Sequence, residues 1–314
     1  MTNVRMKKNS RLHYHRVDVF TDHAFGGNPL AVFPAGEGIP DGLMQAIANE
    51  MNLSETTFVL PPDDEKHDCC VRIFTPRSEL PMAGHPTIGT AFVLAREGVL
   101  HKPEVIFEEG VGPVPVTIEW QDGAPHYIEM RQSKPSFQTR IADTTAIAEM
   151  LSLDRGAILD LPCEIVSCGN PFCFVPIASL ESIRRIRFRA DVAERLLAET
   201  STRGVFVFTR EVEHATAHVH GRLFAPAEGI AEDPATGSAA GPLGSYLLRY
   251  DVMRSEGELR GVLEQGLEMG RPSFLHFRIA HRDDEITDVH VGGTCRYMGA
   301  GHLDVPDWSA TEER

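Results

Sequence analysis

The sequence predicts an α+β fold of two similar domains, each a curved β-sheet or barrel wrapped around a central α-helix. Three observations carry that prediction. The chain is written twice: Arg72, Phe74 and Pro76 recur as Arg222, Phe224 and Pro226 at a constant offset of 150. A little further on, His85-Pro86, Gly89 and Thr90-Ala91 answer to Asp233-Pro234, Gly237 and Ser238-Ala239 at an offset of 148. A period near 150 is too long for a solenoid and reads as duplicated domains. Most of the remaining apolar runs are short and strand-like. Finally, residues 86–95 and 234–248 contain no charged residue and are rich in Gly, Ala and Ser. Helices apolar or small on every side are buried on every side, and small residues let a surrounding sheet approach closely.

The elements follow in order. Residues 1–11 are basic without an apolar stretch, which is no secretory signal and reads as a loose tail. Residues 14–20 form a strand. Gly26-Gly27-Asn28-Pro29 makes a turn into an alternating apolar strand, echoed at Cys168-Gly169-Asn170-Pro171. Apolar residues at helical spacing predict surface helices at 41–51, 144–151 and 191–199. Strands are predicted at 56–60, 70–74, 105–107, 114–120 and 127–130, and again at 172–177, 205–209, 218–224, 274–279 and 287–291. The polar stretch 130–139, with one proline, marks the boundary. The domains are then 1–132 and 133–314, with the last strand a candidate to cross back to the first.

The formal charge of −15 over 314 residues excludes nucleic acid and anionic membrane as natural partners. No run of about 18 apolar residues offers a membrane span. The six cysteines fit reduced thiols of a cytoplasmic protein. Cys69 and Cys70 are adjacent, and Cys163, Cys168 and Cys173 are spaced by five, which matches no zinc knuckle. His214, His218 and His220 look metal-like, with His218 and His220 on one strand face. No acid at matching spacing completes a ligand set. H-E-x-x-H, phosphate-loop and dinucleotide fingerprints are missing, so no metal and no organic cofactor is expected.

The chemistry gathers at the two uncharged helices. Pro86 and Pro234 suit first helical positions, where a missing N–H costs nothing. That makes His85 and Asp233 the caps and leaves the next N–H groups, of Thr87–Gly89 and Ala235–Gly237, without helical acceptors. Such ends attract a carboxylate or phosphate. Asp233 alone could simply cap its helix, and His85 could be a turn residue. Both motifs in register favour one shared cleft between facing halves. Glu55 falls between helix 41–51 and strand 56–60, either as a turn or capping acid or as a general acid–base, since a partly buried carboxylate is tunable toward neutral pH.

"GGNP", "NLSETTF", "GHPTIGTA", "EDPATGSAAG", "MGRPS" (residues 269–273) and "VHVGG" (289–293) occur in this order between residues 14 and 305. Together they resemble the PhzF-like family of phenazine-biosynthesis isomerases, which has the diaminopimelate-epimerase fold. The resemblance implies two barrel-like domains with the active site between them, and a homodimer. It implies that Glu55 shuttles a proton, that His85 and Asp233 hold and polarise the substrate, and that Ser238 and Thr90 meet its carboxylate. Asn28 would orient the ligand, with Gly84 and Gly237 as further substrate-binding positions. Diaminopimelate epimerases and proline racemases carry a cysteine at each helix mouth, whereas this chain has His85 and Asp233 there. The expectation is therefore a cofactor-independent isomerase of a small carboxylate, resembling trans-2,3-dihydro-3-hydroxyanthranilate isomerase. The alternatives are an epimerase or racemase of an amino or hydroxy acid, and a small-molecule binding protein without turnover.

Overall fold

A computed structural model describes residues 10–202, 204–283 and 285–305. The first run of elements is β1 (Ser10–Val19), β2 (Asn28–Phe33), α1 (Asp41–Met51), β3 (Glu55–Leu60), β4 (Cys69–Phe74), β5 (Glu79–Leu80), α2 (Gly84–Arg96), β6 (Glu104–Glu109), β7 (Gly112–Gln121) and β8 (Ala124–Gln132). The second is β9 (Ser136–Arg140), α3 (Thr144–Leu151), β10 (Glu164–Ser167), β11 (Pro171–Pro176), α4 (Leu180–Arg184), α5 (Ala190–Leu196), β12 (Gly204–Thr209), β13 (Val219–Ala225), β14 (Ile230–Asp233), α6 (Gly237–Arg249), β15 (Glu258–Gln265), β16 (Ser273–Arg282), β17 (Glu285–Gly293) and β18 (Cys295–Val305).

Pairings in one half recur in the other. β1·β2 and β10·β11 are antiparallel, and β2·β3 and β11·β12 parallel. β3·β4 and β12·β13 are antiparallel, and β4·β6 and β13·β15 parallel. Parallel neighbours need a crossover, and the helices supply it. α1 links β2 to β3 across the outside of the sheet. α2 links β4 to β6, and α6 links β13 to β15, through the middle. β9, which follows β8, pairs with β10 within the second run, whereas β18, after β17, crosses back to pair with β1 of the first. β8 and β17 pair with each other and join the two sheets. Because β1 begins at Ser10, the last two residues of the expected tail are in the sheet, and residues 1–9 lie outside the described residues.

The sequence's uncharged helices are the buried ones. α2 is covered from Gly84 to Ala95 and α6 from Gly237 to Leu247. α1 presents Leu43, Met44, Ile47 and Ala48 to an outer layer in which Phe33 stacks on Phe58 with ring centres 4.9 Å apart. The repeat residues Phe74 and Phe224 occupy matching places in the outer layers of the two halves. Arg72 lies over Phe74 at 5.2 Å and Arg222 over Phe224 at 4.9 Å, each guanidinium held by both oxygens of an acid, Glu79 or Glu232.

The helix starts differ from the expected ones. α2 begins at Gly84, flanked by Ala83, so His85 and Pro86 are in its first turn rather than before it. α6 begins at Gly237, flanked by Thr236, and Asp233 ends β14. The reason for the later start is a buried clamp. The Gln265 amide donates to the Asp233 carbonyl (2.8 Å) and accepts from the Thr236 N–H (3.0 Å), which holds residues 233–236 as a turn.

Candidate active site

The N-terminal ends of α2 and α6 touch. A Cβ added to Gly84 would lie 2.4 Å from the Gly237 carbonyl carbon and 2.5 Å from the Ser238 nitrogen. One added to Gly237 would lie 3.0 Å from the Gly84 Cα. Only hydrogen fits at this crossing, so two glycines are required by contact distance alone. The juxtaposition brings two partially positive helix ends into one buried place and favours negative groups there.

Asp233 is the negative group that stands there. It is 5% exposed, and its Oδ1 accepts from the Asn28 amide (2.8 Å) and the Ser54 hydroxyl (3.1 Å), its Oδ2 from the Thr236 hydroxyl. Burial pushes its pKa up to about 6, opposed by those hydrogen bonds. The two amide hydrogens of Asn28 face three acceptors: Asp233, the Ala235 carbonyl (3.0 Å) and His85 Nδ1 (3.2 Å). Asn28 is placed from the other half of the molecule. Arg271, of the M-G-R-P-S stretch, donates to the carbonyls of Gly26 (2.6 Å) and Gly27 (2.8 Å) and to Asp18 (2.8 Å). Two motifs more than 240 residues apart therefore form one unit that presents Asn28.

Glu55, the first residue of β3, is 8% exposed, and its Oε2 lies 3.3 Å from His85 Nε2. Burial first, and the neighbouring Asp233 second, push the Glu55 carboxyl well above the ordinary carboxylate range. Burial alone pushes His85 down to about 3, so the ring is neutral at physiological pH. Its Nδ1 faces the Asn28 amide and accepts, which assigns the remaining proton to Nε2, the nitrogen facing Glu55. The 3.3 Å contact is off the hydrogen-bond direction. Glu55 Oε2, His85 Nε2 and Asn28 Oδ1 have no hydrogen-bond partner among the described residues. Three open polar atoms around two helix ends make a place where a ligand's donors and acceptors would be satisfied.

A cavity of about 210 Å³ opens onto this place. Glu55, Asp233, Thr236 and Ser238 form part of its wall, and Leu80, Pro171, Phe172, Leu223 and Ile230 another. His85 and Asn28 stand behind the wall, not in it. Thr90, expected to meet a carboxylate, is 2.8 Å from the Thr57 hydroxyl and does not line the cavity, because it sits in the second turn of α2 on the side facing β3. The sequence assigns no side-chain role to Ser54, Thr236 or Gln265. Ser54 and Thr236 lie inside the N-L-S-E-T-T-F and E-D-P-A-T-G motifs, while Gln265 had no signal.

The histidines resolve differently from a metal cluster. Among the described residues, no group of three or more His, Cys, Asp and Glu is placed to hold a metal ion. His220 is fully buried, with Nδ1 2.9 Å from Glu264 and Nε2 2.9 Å from Glu268. Acids absent at local spacing arrive from β15 and the turn after it. His214 also reaches Glu264 (3.0 Å), whereas His218 is exposed and accepts from the Val262 N–H (3.1 Å). Burial disfavours a charged His220, but the two carboxylates outweigh it and raise its pKa to about 9. Glu264 immediately precedes Gln265, so this triad anchors the strand end that clamps the Asp233 turn. The stabilisation from His220 is fully present below its unfolded pKa of about 6.5 and is lost as pH rises through about 9. Replacing His220 by Gln is expected to cost about 3 kcal/mol at pH 6, by leaving the buried Glu264 and the half-buried Glu268 without their cation. Denaturant titrations should show the gap between wild type and variant narrowing from pH 6 to pH 9.5, and an unchanged gap would refute the charged triad.

The sequence profile of the family described as "Phenazine biosynthesis-like protein" matches residues 17–301. An uncharacterized isomerase of Mesorhizobium japonicum is 37% identical over 297 residues, covering 92% of this chain and 98% of that protein. The trans-2,3-dihydro-3-hydroxyanthranilate isomerase of Pseudomonas chlororaphis is 34% identical over 291 residues, covering 93% and 99%. A crystal structure of a Bacillus anthracis phenazine biosynthesis protein of the PhzF family superposes with a TM-score of 0.87 at 27% identity, covering 94% of this chain and 100% of that one. No helix among the described residues is long and apolar enough to cross a membrane.

Proposed function

The chain belongs to the phenazine biosynthesis-like family, and on that premise we propose that it is an isomerase that shifts a proton within a small carboxylate-bearing substrate. The observation that carries this reading is the buried Glu55, made unusually basic, beside a neutral His85 at the meeting point of two helix ends. Ionised Glu55 takes a proton from a carbon next to an unsaturated or electron-withdrawing group. The carboxyl so formed returns the proton to another carbon on the same face. A base of raised pKa is strong enough for the first step, and its conjugate acid is ready for the second.

His85 Nε2–H, behind the wall, faces the Glu55 carboxyl and favours its ionised form when the proton is to be taken. Asp233, ionised and held by three donors, receives an amino or hydroxyl group of the substrate. Ser238 and the N–H groups at the start of α6 receive the carboxylate, with Gly84 and Gly237 fixing how closely the helix ends approach it. Acid–base catalysis contributes roughly 10²–10⁴-fold, and orientation and the helix-end charges the rest. The nearest named reaction is that of the Pseudomonas relative, isomerisation of trans-2,3-dihydro-3-hydroxyanthranilate.

That compound is the first substrate to offer, followed by NMR in light and in deuterated water. Product formed in deuterated water should carry deuterium at the newly protonated carbon, to the extent that Glu55 exchanges before returning its proton. Only the ionised form of Glu55 abstracts, and burial and Asp233 raise its pKa, so kcat/KM should still be climbing with pH where an ordinary carboxylate is already fully ionised. A profile flat above pH 5 would contradict the assignment.

A further inference from the structure

The register of the two halves is close enough to locate the counterpart of Glu55. On the parallel pair β2·β3, Leu30 lies opposite Glu55, and on β3·β4, Thr56 lies opposite Phe74. On β11·β12, Phe172 lies opposite Gly204, and on β12·β13, Val205 lies opposite Phe224. Leu30 and Phe172 each follow a Gly-Asn-Pro asparagine by two residues. Gly204 is therefore the repeat image of Glu55, and both line the same cavity. The image position carries no side chain, and another residue has taken its space. A Cβ on Gly204 would lie 2.9 Å from Phe172 Cδ1, 3.2 Å from Cε1 and 3.4 Å from Leu223 Cδ1. The Phe172 ring is 8% exposed, lines the cavity, and is backed edge-on by Phe174, with ring centres 6.5 Å apart.

We propose that Phe172, seated over Gly204, is the specificity-determining wall of this site, turning hydrocarbon toward the substrate where a symmetric layout would place a second acid. The wall confines proton transfer to the Glu55 side. It also selects ligands whose other face is flat and apolar, because a puckered ring cannot lie against the aromatic face without losing contact. Chemistry that needs an acid on each face of one carbon has no second acid at this position. The inference rests on the proton shuttle proposed above, and its test is separable from it.

The probes are benzoate and cyclohexanecarboxylate, which carry the same single carboxylate on a flat and a puckered ring. Their binding to the full chain is measured by calorimetry. Wild type should prefer benzoate by about five- to tenfold, the worth of an aromatic contact. Phe172→Ala should weaken benzoate about tenfold and abolish the preference. Gly204→Ala should weaken benzoate by pushing the ring into the cavity, yet have no further effect when added to Phe172→Ala. Cooperative thermal unfolding of each variant establishes that it is folded. A preference that survives in Phe172→Ala, additive losses in the double variant, or no benzoate binding by wild type would each overturn the wall. Glu55→Gln should keep the ring preference. Near-normal turnover by that variant overturns the shuttle and leaves the binding cycle to judge the wall alone.

Discussion

Glu55→Gln is expected to lower turnover by roughly 10²-fold or more while changing substrate affinity by no more than a few fold. Gln preserves the shape of the side chain and a hydrogen-bonding end, but it cannot accept a proton from carbon. The environment makes this substitution clean. Glu55 is 8% exposed and its charged form is disfavoured by burial and by Asp233. A neutral amide at that place removes the cost of burying a charge, so the variant should unfold at the wild-type temperature or slightly above it. Loss of activity with undiminished thermal stability then isolates the chemistry. His85→Ala and Asp233→Ala should behave differently, weakening binding as well as turnover, because Asp233 lines the cavity and His85, behind the wall, backs both Glu55 and the Asn28 amide that holds Asp233. Near-normal turnover by Glu55→Gln on the true substrate would return Glu55 to a structural role at the start of β3.

Gly84→Ala should be strongly damaging for a single methyl. The added carbon would lie 2.4–2.6 Å from three backbone atoms of Gly237 and Ser238, and backbone at a helix start cannot swing aside as a side-chain tip can. The helix ends must separate, at a cost of about 1–3 kcal/mol typical of overpacking. At this chain length that lowers Tm by roughly 2–4 °C per kcal/mol. Separation also withdraws α6 from the cavity that Glu55 shares with Ser238, so kcat/KM should fall by roughly tenfold or more. Gly156→Ala is the control: a Cβ there meets nothing within 4 Å, and the change should stay within about 0.5 kcal/mol. Calorimetry and turnover on the two proteins decide the matter. Equal Tm values for Gly84→Ala and wild type would mean that the helix ends do not need this contact.

Much of the fold was legible because duplication leaves a mark independent of distance in space. The offsets at Arg72/Arg222 and His85/Asp233 announced two equivalent halves, and the absence of charge from 86–95 and 234–248 announced two buried helices. Other elements had no such signal. β9 is exposed along its length except at a half-buried Phe137, and pairs only because the chain crosses to β10. β15 alternates Leu259, Gly261 and Leu263 inward, and a glycine in the middle of that face hides the period. The helix starts were misread for a related reason. Proline and a polar residue suit a cap locally, but a glutamine 32 residues beyond Asp233 holds residues 233–236 as a turn.

The sequence by itself determined which residue types could do chemistry here and that they came in two matched sets. A side chain's proton affinity, however, depends on what surrounds it in three dimensions. Only the tertiary structure put Glu55 out of water beside Asp233, raising both carboxyls, and put His85 where burial keeps it neutral. It alone brought Arg271 to the Gly26-Gly27 carbonyls and Asn28 to Asp233, contacts that span more than 200 residues. It also separated Thr90 from the cavity while leaving Ser238, its repeat partner, in the wall. Periodicity and composition report what each segment is made of. Desolvation, charge proximity and the close approach of Gly84 to Gly237 are properties of pairs of segments, fixed when the two helix ends meet.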